Sequence, residues 1–253
     1  MSKYGSLHLS LIDRINQEEQ HAKNPDKAVK TRLHQLYGAY VHPNSNKKAS
    51  ALINQLAGAE GAGPEHTAAK LLGLHASTKE RLPFYEDFYD FIFDHSGAVN
   101  KVLDLGCGFN PFSLPFFPQW PTEYHAVDID IHTKDLLNIF FELLQLPKKA
   151  VCEDLATVNP QTQADLAMML KLFPVLEANS PGRAYSLANG LDTTWLVVSF
   201  PTKSLGGKKR GMALNYKTSF LNAISQNSLN NFGLIAESLI GNELVFILRR
   251  HMI

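Results

Sequence analysis

Residues 101–115 read KVLDLGCGFNPFSLP, and this stretch decides the fold because a short apolar run is followed at once by a glycine turn. The run from Lys101 to Leu105 has the length and apolar content of a buried strand. Gly106 and Gly108 then leave the backbone bare, and Asp104 stands just before them. In an open parallel sheet, ligands bind beyond the carboxyl ends of the strands, close to such a turn. The stretch therefore predicts an α/β fold with a binding site at this point.

The composition is that of a globular protein. The chain has 253 residues, of which 45% are apolar, and this is enough for one large domain or two smaller ones. Lys and Arg number 24, as do Asp and Glu, which argues against a protein that coats nucleic acid indiscriminately. No apolar run reaches the ~18 residues of a membrane span, and the N-terminus becomes charged too early for a signal peptide. We expect a cytoplasmic protein with no membrane partner.

The two cysteines do not indicate a metal site or a disulfide framework. Cys107 and Cys152 are far apart and lack the spacing of either. We expect both to be reduced packing residues, and we expect no metal.

Before about residue 95 the sequence predicts helices, which we interpret as an N-terminal helical domain over residues 1–95. Asn24 followed by Pro25 predicts a helix start, and apolar residues then recur at helical spacing as far as Tyr40. A second stripe of this helix is basic. Charged helix faces are more often merely solvated than functional, and charge alone favours that interpretation. The basic residues are Lys27, Lys30, Arg32 and His34.

A further helix is predicted in the stretch LHASTKERL. Ser77 and Glu80 have the spacing of a capping box, in which each side chain bonds the backbone of the other. Behind them lies a predicted buried stripe that comprises Leu82, Tyr85, Phe88, Tyr89 and Ile92.

After residue 96 the pattern changes to strands that alternate with helices. Strands are predicted at residues 101–105, 124–128, 150–153, 166–170, 195–200, 233–238 and 244–248. Five strands with helical crossovers, followed by two in close succession, indicate a seven-stranded, mostly parallel sheet that ends in an antiparallel hairpin. We assign residues 96–253 to this domain.

A basic, glycine-rich segment follows the fifth predicted strand. No acidic residue occurs between Asp192 and Glu237, which favours a surface loop that meets an anion. A loop that is merely solvated explains the same charge equally well. The positive residues of its first part are Lys203, Lys208, Lys209 and Arg210.

The glycine turn favours S-adenosyl-L-methionine over a dinucleotide. A dinucleotide site needs G-x-G-x-x-G, but here the third glycine is missing and a proline follows. Asp104 before the glycines suits a cationic amino-acid group better than it suits phosphates. Asp128 ends the second strand, where a ribose diol is held, and Glu153 and Asp154 end the third. Each carboxylate alone is typical of a turn or cap, but carboxylates at three successive strand tips favour a cofactor site.

Motifs that the sequence lacks limit which chemical groups could accept the methyl group. Enzymes that methylate the amino groups of adenine or cytosine carry an acceptor-rich motif after strand four, where this chain has MMLKLFPVLE. Cys107 and Cys152 lie in the turn and on the third strand, so that neither suits covalent catalysis. A ring nitrogen with its own lone pair remains, and it needs positioning rather than a general base. We therefore predict no catalytic base.

Several ordered motifs resemble the aminoglycoside-resistance 16S ribosomal RNA guanine-N7 methyltransferases of the Arm and Rmt type. They are LHASTKERL, YDFIF, LDLGCGFNP, MLKLFPVLE, SFPTKSLGG, GMALNY and IGNELVFIL, and the match runs from about Lys27 to the C-terminus. The resemblance implies a class I, Rossmann-like methyltransferase domain. It also implies methylation of a decoding-site guanine at N7, on the assembled 30S subunit, with S-adenosyl-L-methionine as donor. Resistance to 4,6-disubstituted deoxystreptamine drugs would follow, and we expect a monomer.

The resemblance also implies roles for individual residues. Arg81 would pair with the methionine carboxylate of the cofactor, and Lys171 would lie near the cofactor and the incoming base. Without the resemblance, Arg81 reads as a surface ion pair and His75 as a helix-end cap. A base-flipping step implies that an aromatic side chain replaces the lost stacking, with Phe109, Phe173 and Phe200 as candidates. The full set of implied cofactor residues is His75, Ser77, Arg81, Asp104, Gly106, Gly108, Asp128, Ile129, Asp154, Leu155 and Lys171.

Under the same resemblance, the basic helix face and the basic loop would contact rRNA phosphates. Two other functions stay open at this point. One is methylation of the neighbouring adenine at N1, and the other is a non-catalytic assembly factor that binds the cofactor.

Overall fold

The computed structural model describes residues 4–41, 44–57, 64–202 and 212–251. Within them the first strand is preceded by α1 Leu9–Glu19, α2 Pro25–Leu33, α3 Ser45–Ala57, α4 Pro64–Leu72, α5 Ala76–Arg81 and α6 Tyr85–Ser96. A π-helical turn, His34–Gly38, extends α2, and a 3-10 turn, Leu82–Phe84, joins α5 to α6. The predicted run of helices is confirmed, and α1 is a further helix for which we predicted no separate start or stripe. No helix in this described part of the chain is both long and apolar enough to cross a membrane.

The two predicted helix starts have different outcomes. Asn24 Oδ1 accepts a hydrogen bond from the Lys27 amide at 3.1 Å, and Pro25 begins α2, as predicted. Helix α5 begins one residue before Ser77, and no side chain caps it. The predicted capping box is therefore wrong. The reason is that its two polar side chains have other partners: Ser77 Oγ lies 3.1 Å from the His75 ring, and Glu80 pairs with Lys171 at 2.8 Å.

A seven-stranded sheet forms the centre of the molecule, as predicted. Its strands are β1 Lys101–Leu105, β2 Glu123–Asp128, β3 Ala150–Cys152, β4 Gln163–Leu170, β5 Asp192–Pro201, β6 Phe232–Ile240 and β7 Glu243–Arg250, in the order β3-β2-β1-β4-β5-β7-β6. Strands β1 to β5 pair in parallel, and β7 is antiparallel to both β5 and β6. The strand order reverses at β1, between β2 and β4, which is where open sheets of this kind bind ligands.

α-Helices form two of the four connections between successive parallel strands. They are α7 Ile131–Leu143, α8 Leu172–Asn179 and α9 Arg183–Gly190, while α10 Met212–Ser225 lies between β5 and β6. The prediction of a helix at every crossover is wrong in two places. Between β1 and β2 the chain forms a 3-10 segment, Asn110–Phe116, because Pro111 and Pro115 remove two amide donors. Residues 153–162, all of them described, connect β3 to β4 through turns.

Apolar side chains cover both faces of the sheet. The predicted stripe is confirmed for its four members on α6, since Tyr85, Phe88, Tyr89 and Ile92 are each at most 1% exposed. Its fifth member, Leu82, lies in the 3-10 turn before α6 and is only partly buried. This stripe packs on the side of the sheet that carries Val102. Burial of large side chains on this scale holds α6 against β6 and against the 3-10 segment that follows the glycine turn.

The N-terminal helices are attached to the tip of β2 through Asp130, which is fully buried. Its Oδ2 accepts hydrogen bonds from the hydroxyls of Tyr37 (2.5 Å) and Thr133 (3.1 Å) and from Asn46 Nδ2 (3.3 Å). Leu7 forms a β-bridge with the same residue. A buried carboxylate satisfied by three elements fixes how the helices lie against the sheet.

Candidate functional site

The glycine turn after β1 has the bare backbone that its sequence indicates. Gly106 and Gly108 have φ angles of +62° and +51°, a region that side chains disfavour. A Cβ on Gly106 would lie 2.8 Å from Leu172 Cδ1, and a Cβ on Gly108 would lie 3.0 Å from the His75 ring. Both positions therefore require glycine, and the turn forms one wall of a cavity.

Nine of the eleven predicted cofactor residues line this single cavity, which we call the strand-tip cavity. It lies beyond the carboxyl ends of β1, β2, β3 and β4, the position expected for a ligand site in this fold. The nine residues are His75, Ser77, Gly106, Gly108, Asp128, Ile129, Asp154, Leu155 and Lys171. Arg81 and Asp104 do not line it.

Asp128 shapes the cavity from the end of β2. Its Oδ2 accepts a hydrogen bond from the Gly108 amide at 2.8 Å, and its Oδ1 accepts one from the Asp130 amide at 3.0 Å. Burial raises the pKa of this carboxyl to about 6, although the Gly108 hydrogen bond lowers it. The group is still mostly ionised at neutral pH, and it has acceptor capacity left for a diol.

Asp104 lies two residues before the turn and holds an unused acceptor. Its Oδ2 accepts hydrogen bonds from Asn110 Nδ2 (2.9 Å) and the Tyr124 hydroxyl (2.7 Å). Its Oδ1 is buried and has no hydrogen-bond partner among the described residues. Burial raises the pKa of this carboxyl to about 6. A buried acceptor without a donor is costly. Since Asp104 does not line the cavity, its contact with a cationic group of the cofactor stays a prediction.

Arg81 has a different environment from the predicted one. Its guanidinium donates to Glu243 from Nε (3.1 Å) and Nη2 (2.6 Å), and to Asn110 Oδ1 from Nη1 (2.8 Å). Burial opposes the charge, but the Glu243 carboxylate raises the pKa of Arg81 overall. The prediction of a surface ion pair is wrong, because Arg81 is 4% exposed. Arg81 does not line the cavity, and its contact with the cofactor carboxylate stays a prediction. Glu243, 162 residues away in sequence, occupies the guanidinium fork. Arg81 instead reaches Asp104 through Asn110.

Lys171 lines the cavity with its charge balanced by two carboxylates. It has a left-handed backbone (φ 57°) between β4 and α8, and its Nζ lies 2.8 Å from Glu80 and 3.5 Å from Glu243. Burial would raise the pKa of Glu243, but Arg81 and Lys171 lower it overall. The lysine therefore does not make the cavity strongly positive, which matters for a cationic ligand.

His75 is neutral and lies within a stack of rings. Burial, and next the nearby Lys171, lower its pKa to about 4. Its ring centroid lies 5.5 Å from that of Phe109 and 6.2 Å from that of Tyr40. Phe109 is fully buried in the core, as are Phe173 and Phe200 apart from 1% and 5% of their surfaces. The three phenylalanines proposed to stack on a base are thus packing residues in this structure.

Part of the cavity wall comes from residues that the sequence patterns did not indicate. Leu11 and Arg14 of α1 line it, as do Tyr37 and Tyr40 of the segment after α2. Arg14 donates to Asp154 Oδ2 from Nη2 at 3.1 Å and from Nε at 3.3 Å. Leu7, Leu11 and Ile15 do recur at helical spacing, and this signal indicates α1 but not its partner.

The predicted RNA-binding residues fall into two groups. Lys27, Lys30 and His34 are exposed on α2 and the turn that follows it, whereas Arg32 is partly buried and pairs with Glu18 at 3.5 Å. The second group, Lys203, Lys208, Lys209 and Arg210, lies outside the described residues.

Neither cysteine has the properties of a nucleophile. Burial raises the pKa of the Cys107 thiol well above its usual value and that of Cys152 to about 11. A thiol that stays protonated at neutral pH is a poor nucleophile.

The charges of the side chains around the cavity suit a cationic nucleoside cofactor. Asp128 and Asp154 are carboxylates at successive strand tips, Lys171 is balanced, and His75 is neutral. The backbone of the glycine turn leaves room that a Cβ would fill. These residues fit S-adenosyl-L-methionine, whose amino group and sulfonium are positive and whose ribose and adenine donate hydrogen bonds.

Known proteins with similar sequences cover nearly the whole chain. The FmrO family of ribosomal RNA methyltransferases matches residues 1–247. A 16S rRNA (guanine(1405)-N(7))-methyltransferase of Serratia marcescens is 34% identical over 253 residues, which cover 98% of this chain and 94% of the relative. One of the same name from Micromonospora rosea is 32% identical over 233 residues, which cover 89% and 83%.

Solved structures agree with this similarity. The 16S rRNA methyltransferase RmtF, crystallised with S-adenosyl-L-homocysteine, has a TM-score of 0.85 at 31% identity and covers 98% of this chain and 93% of its own. The 16S rRNA methylase RmtB has a TM-score of 0.80 at 31% identity, with 99% and 94% covered. The resemblance indicated by the sequence motifs is confirmed, and it extends through the helices before β1.

Proposed function

Because the chain belongs to the FmrO family of ribosomal RNA methyltransferases, we propose that it methylates N7 of guanine 1405 in 16S rRNA with S-adenosyl-L-methionine. The observation that carries the proposal is the strand-tip cavity, where the glycine turn and two carboxylates meet at successive strand tips. The relatives named for this reaction supply the position and atom of the target.

The cavity residues have distinct tasks in this proposal. Asp128 accepts from the ribose diol, and Asp154 and Leu155 hold the edge and face of the adenine. The bare backbone of Gly106 and Gly108 admits the amino-acid end close to the turn. When it is bound, S-adenosyl-L-methionine would supply an electrophilic methyl group on a positively charged sulfur.

The acceptor nitrogen needs no base. N7 of a neutral guanine carries a lone pair and no proton, so the N–CH₃ bond forms as the S–CH₃ bond breaks and no proton leaves the base. The chain's contribution is to orient N7 in line with the methyl group and to exclude water. The neutral His75 and the balanced Lys171 avoid adding positive charge beside a base that itself becomes cationic.

The substrate in this proposal is the assembled 30S subunit. The exposed cations of α2 and the basic loop after β5 would contact rRNA phosphates, which orient a protein on folded RNA more than they read its sequence. Guanine 1405 would be flipped out of its helix to reach the cavity. Methylation there would confer resistance to 4,6-disubstituted deoxystreptamine aminoglycosides.

A transfer assay tests the proposal directly. Purified protein is given labelled S-adenosyl-L-methionine with intact 30S subunits or with protein-free 16S rRNA. N7-methylguanine is then mapped by borohydride and aniline strand cleavage. We expect label and cleavage at guanine 1405 on intact subunits only. Label at the neighbouring adenine N1 would contradict the target, and cofactor binding without any transfer would favour an assembly factor.

A further inference from the structure

The contact between α1 and the third strand tip is the strongest feature that the proposed function leaves unexplained. Arg14 and Asp154 are 140 residues apart in sequence and form a bidentate contact at the edge of the strand-tip cavity. The Arg14 side chain is 19% exposed and that of Asp154 is 5% exposed. An ion pair with one partner this buried has a defined geometry, unlike most surface pairs.

We propose that Arg14 is a positioning residue that orients the Asp154 carboxylate for the adenine amino group of the cofactor. The inference rests on the proposed function, because it assumes that the cavity holds an adenosyl group. It places a specificity element for the cofactor in the first helix, outside the sheet domain that carries the glycine turn.

The acceptor geometry of Asp154 supports this role. Oδ2 accepts two hydrogen bonds from the Arg14 guanidinium, and Oδ1 accepts one from the Ala156 amide at 3.0 Å. These contacts fix the rotation of the carboxylate from both sides. Arg14 Nη2 also lies 3.5 Å from Oδ1, but that distance is at the limit of a hydrogen bond, so that one of about four acceptor directions stays available for an N–H donor.

Arg14 lies on a helix that is packed against the rest of the protein. Ile15, the next residue of α1, is fully buried. The start of α1 is attached to the sheet, since the His8 amide donates to the Ile129 carbonyl at 2.9 Å. Arg14 Nη1 also lies 3.2 Å from Glu18, but this pair is exposed and contributes little to the position of the guanidinium.

This arrangement predicts discrimination between adenine and hypoxanthine. Adenine presents an amino donor at position 6. Hypoxanthine presents a carbonyl oxygen there, and this oxygen and the Asp154 carboxylate, both acceptors, repel each other. Sites built to accept a hydrogen bond reject analogues that lack the donor. If Arg14 orients Asp154, then loss of Arg14 weakens this discrimination.

The test is calorimetry with two probes, S-adenosyl-L-homocysteine and its 6-oxo analogue S-inosyl-L-homocysteine. The proteins are the full wild-type chain, Arg14→Ala, Arg14→Lys and the control Glu18→Ala. Glu18→Ala removes the other partner of Arg14 but leaves its contact with Asp154. Circular dichroism and thermal melting establish that each variant is folded.

We expect Arg14→Ala to raise the Kd of the adenosyl probe roughly tenfold, the equivalent of one hydrogen bond to a charged group. The Kd of the inosyl probe should change much less, so that the ratio of the two Kd values falls. Arg14→Lys should restore part of the ratio, and Glu18→Ala should leave it unchanged.

Three results would overturn the inference. They are an unchanged adenosyl Kd in folded Arg14→Ala, an equal loss for both probes, and the same loss in Glu18→Ala. The last two would mean that α1 only supports the fold. A wild-type protein that binds neither probe would instead contradict the proposed function, so the two failures are distinguishable.

Discussion

At the scale of one residue, backbone hydrogen bonds hold the Asp128 carboxylate in a fixed orientation at the end of its strand. Asp128 is 8% exposed, and its two oxygens accept one backbone amide each, that of Gly108 in the glycine turn and that of Asp130 two residues later. The sequence predicted its position because the end of an apolar strand is a local feature. Its hydrogen bond to Gly108 could not be predicted, since it joins two different strand tips.

Replacement of Asp128 should remove most cofactor affinity. Asp128→Ala loses the charged acceptor for the ribose diol, and we expect the Kd of S-adenosyl-L-homocysteine to rise at least tenfold. Calorimetry measures this. The matched control is Asp165→Ala, because Asp165 also accepts two backbone amides, from Asn100 (2.7 Å) and Lys101 (2.9 Å), at the other end of β1. Equal affinity in Asp128→Ala and wild type would remove Asp128 from the site.

Glu243 carries the carboxylate that pairs with two buried cations, Arg81 and Lys171. Glu243→Gln keeps the size of the side chain but leaves Arg81 and Lys171 without their shared carboxylate. A buried cation without its partner is strongly destabilising, and we expect a loss of about 3–5 kcal/mol in the free energy of unfolding. Urea denaturation measures the change.

The same hairpin supplies the control for Glu243. Glu237→Gln breaks a pair with Lys217 in which the two side chains are 31% and 40% exposed. Exposed pairs contribute about 0–1 kcal/mol, so that the stability should hardly change. Similar losses in both variants would mean that the buried network contributes no more than a surface pair.

The glycine turn acts as an element, because its shape depends on positive φ angles at two positions, Gly106 and Gly108, with one residue between them. In Gly106→Ala the Cβ would lie 2.8 Å from Leu172 Cδ1. We expect a loss of stability and also a lower affinity for S-adenosyl-L-homocysteine, since either the turn or Leu172 must shift into the cavity. Thermal melting and calorimetry measure the two effects.

Gly97 provides a control that also has a positive φ angle. Its φ is +69°, and a Cβ there would meet nothing within 4 Å. Gly97→Ala should cost about 1–3 kcal/mol of stability and leave cofactor affinity intact. If both variants bind the cofactor as wild type does, the bare turn is not needed for the ligand.

Helix α2 presents exposed cations that the proposed function assigns to rRNA. Lys27→Ala with Lys30→Ala should weaken binding to 30S subunits and reduce its dependence on salt, because fewer counterions are released. Cofactor affinity should not change. Filter binding at several salt concentrations measures both the affinity and the slope.

The control for the α2 variant also removes two lysine charges, but from another part of the surface. Lys134→Ala with Lys148→Ala takes away two lysines that pair with Asp135 (2.6 Å) and Glu142 (2.7 Å). An equal loss of subunit binding in this control would show that net charge, rather than the α2 face, governs association.

At the scale of the whole molecule, the strand-tip cavity draws its walls from both sides of residue 96. Residues of α1, of the turn after α2 and of the segment before α5 line it together with the strand tips. The boundary at residue 96 therefore divides the N-terminal helices from the sheet, but residues on both sides of it line the cavity. Whether residues 1–95 fold and dock on rRNA as a domain of their own stays a prediction.

Hydrogen exchange should reveal this shared wall. We expect S-adenosyl-L-homocysteine to protect backbone amides in residues 9–19 and 34–41 as well as those around Gly108 and Asp128. Strand β6 lies at the far edge of the sheet and serves as the internal control. Protection confined to residues after 96 would mean that the helices do not respond to the cofactor.

The sequence by itself determined the strands, the glycine turn and the three carboxylates at strand tips, because apolar periodicity, glycine and chain order are local properties. Sequence similarity added the family. Only the tertiary structure decided the partners of charged groups: Arg81 with Glu243 and Arg14 with Asp154. These pairs join residues 162 and 140 positions apart, and no local pattern specifies which oppositely charged groups the order of strands will bring together.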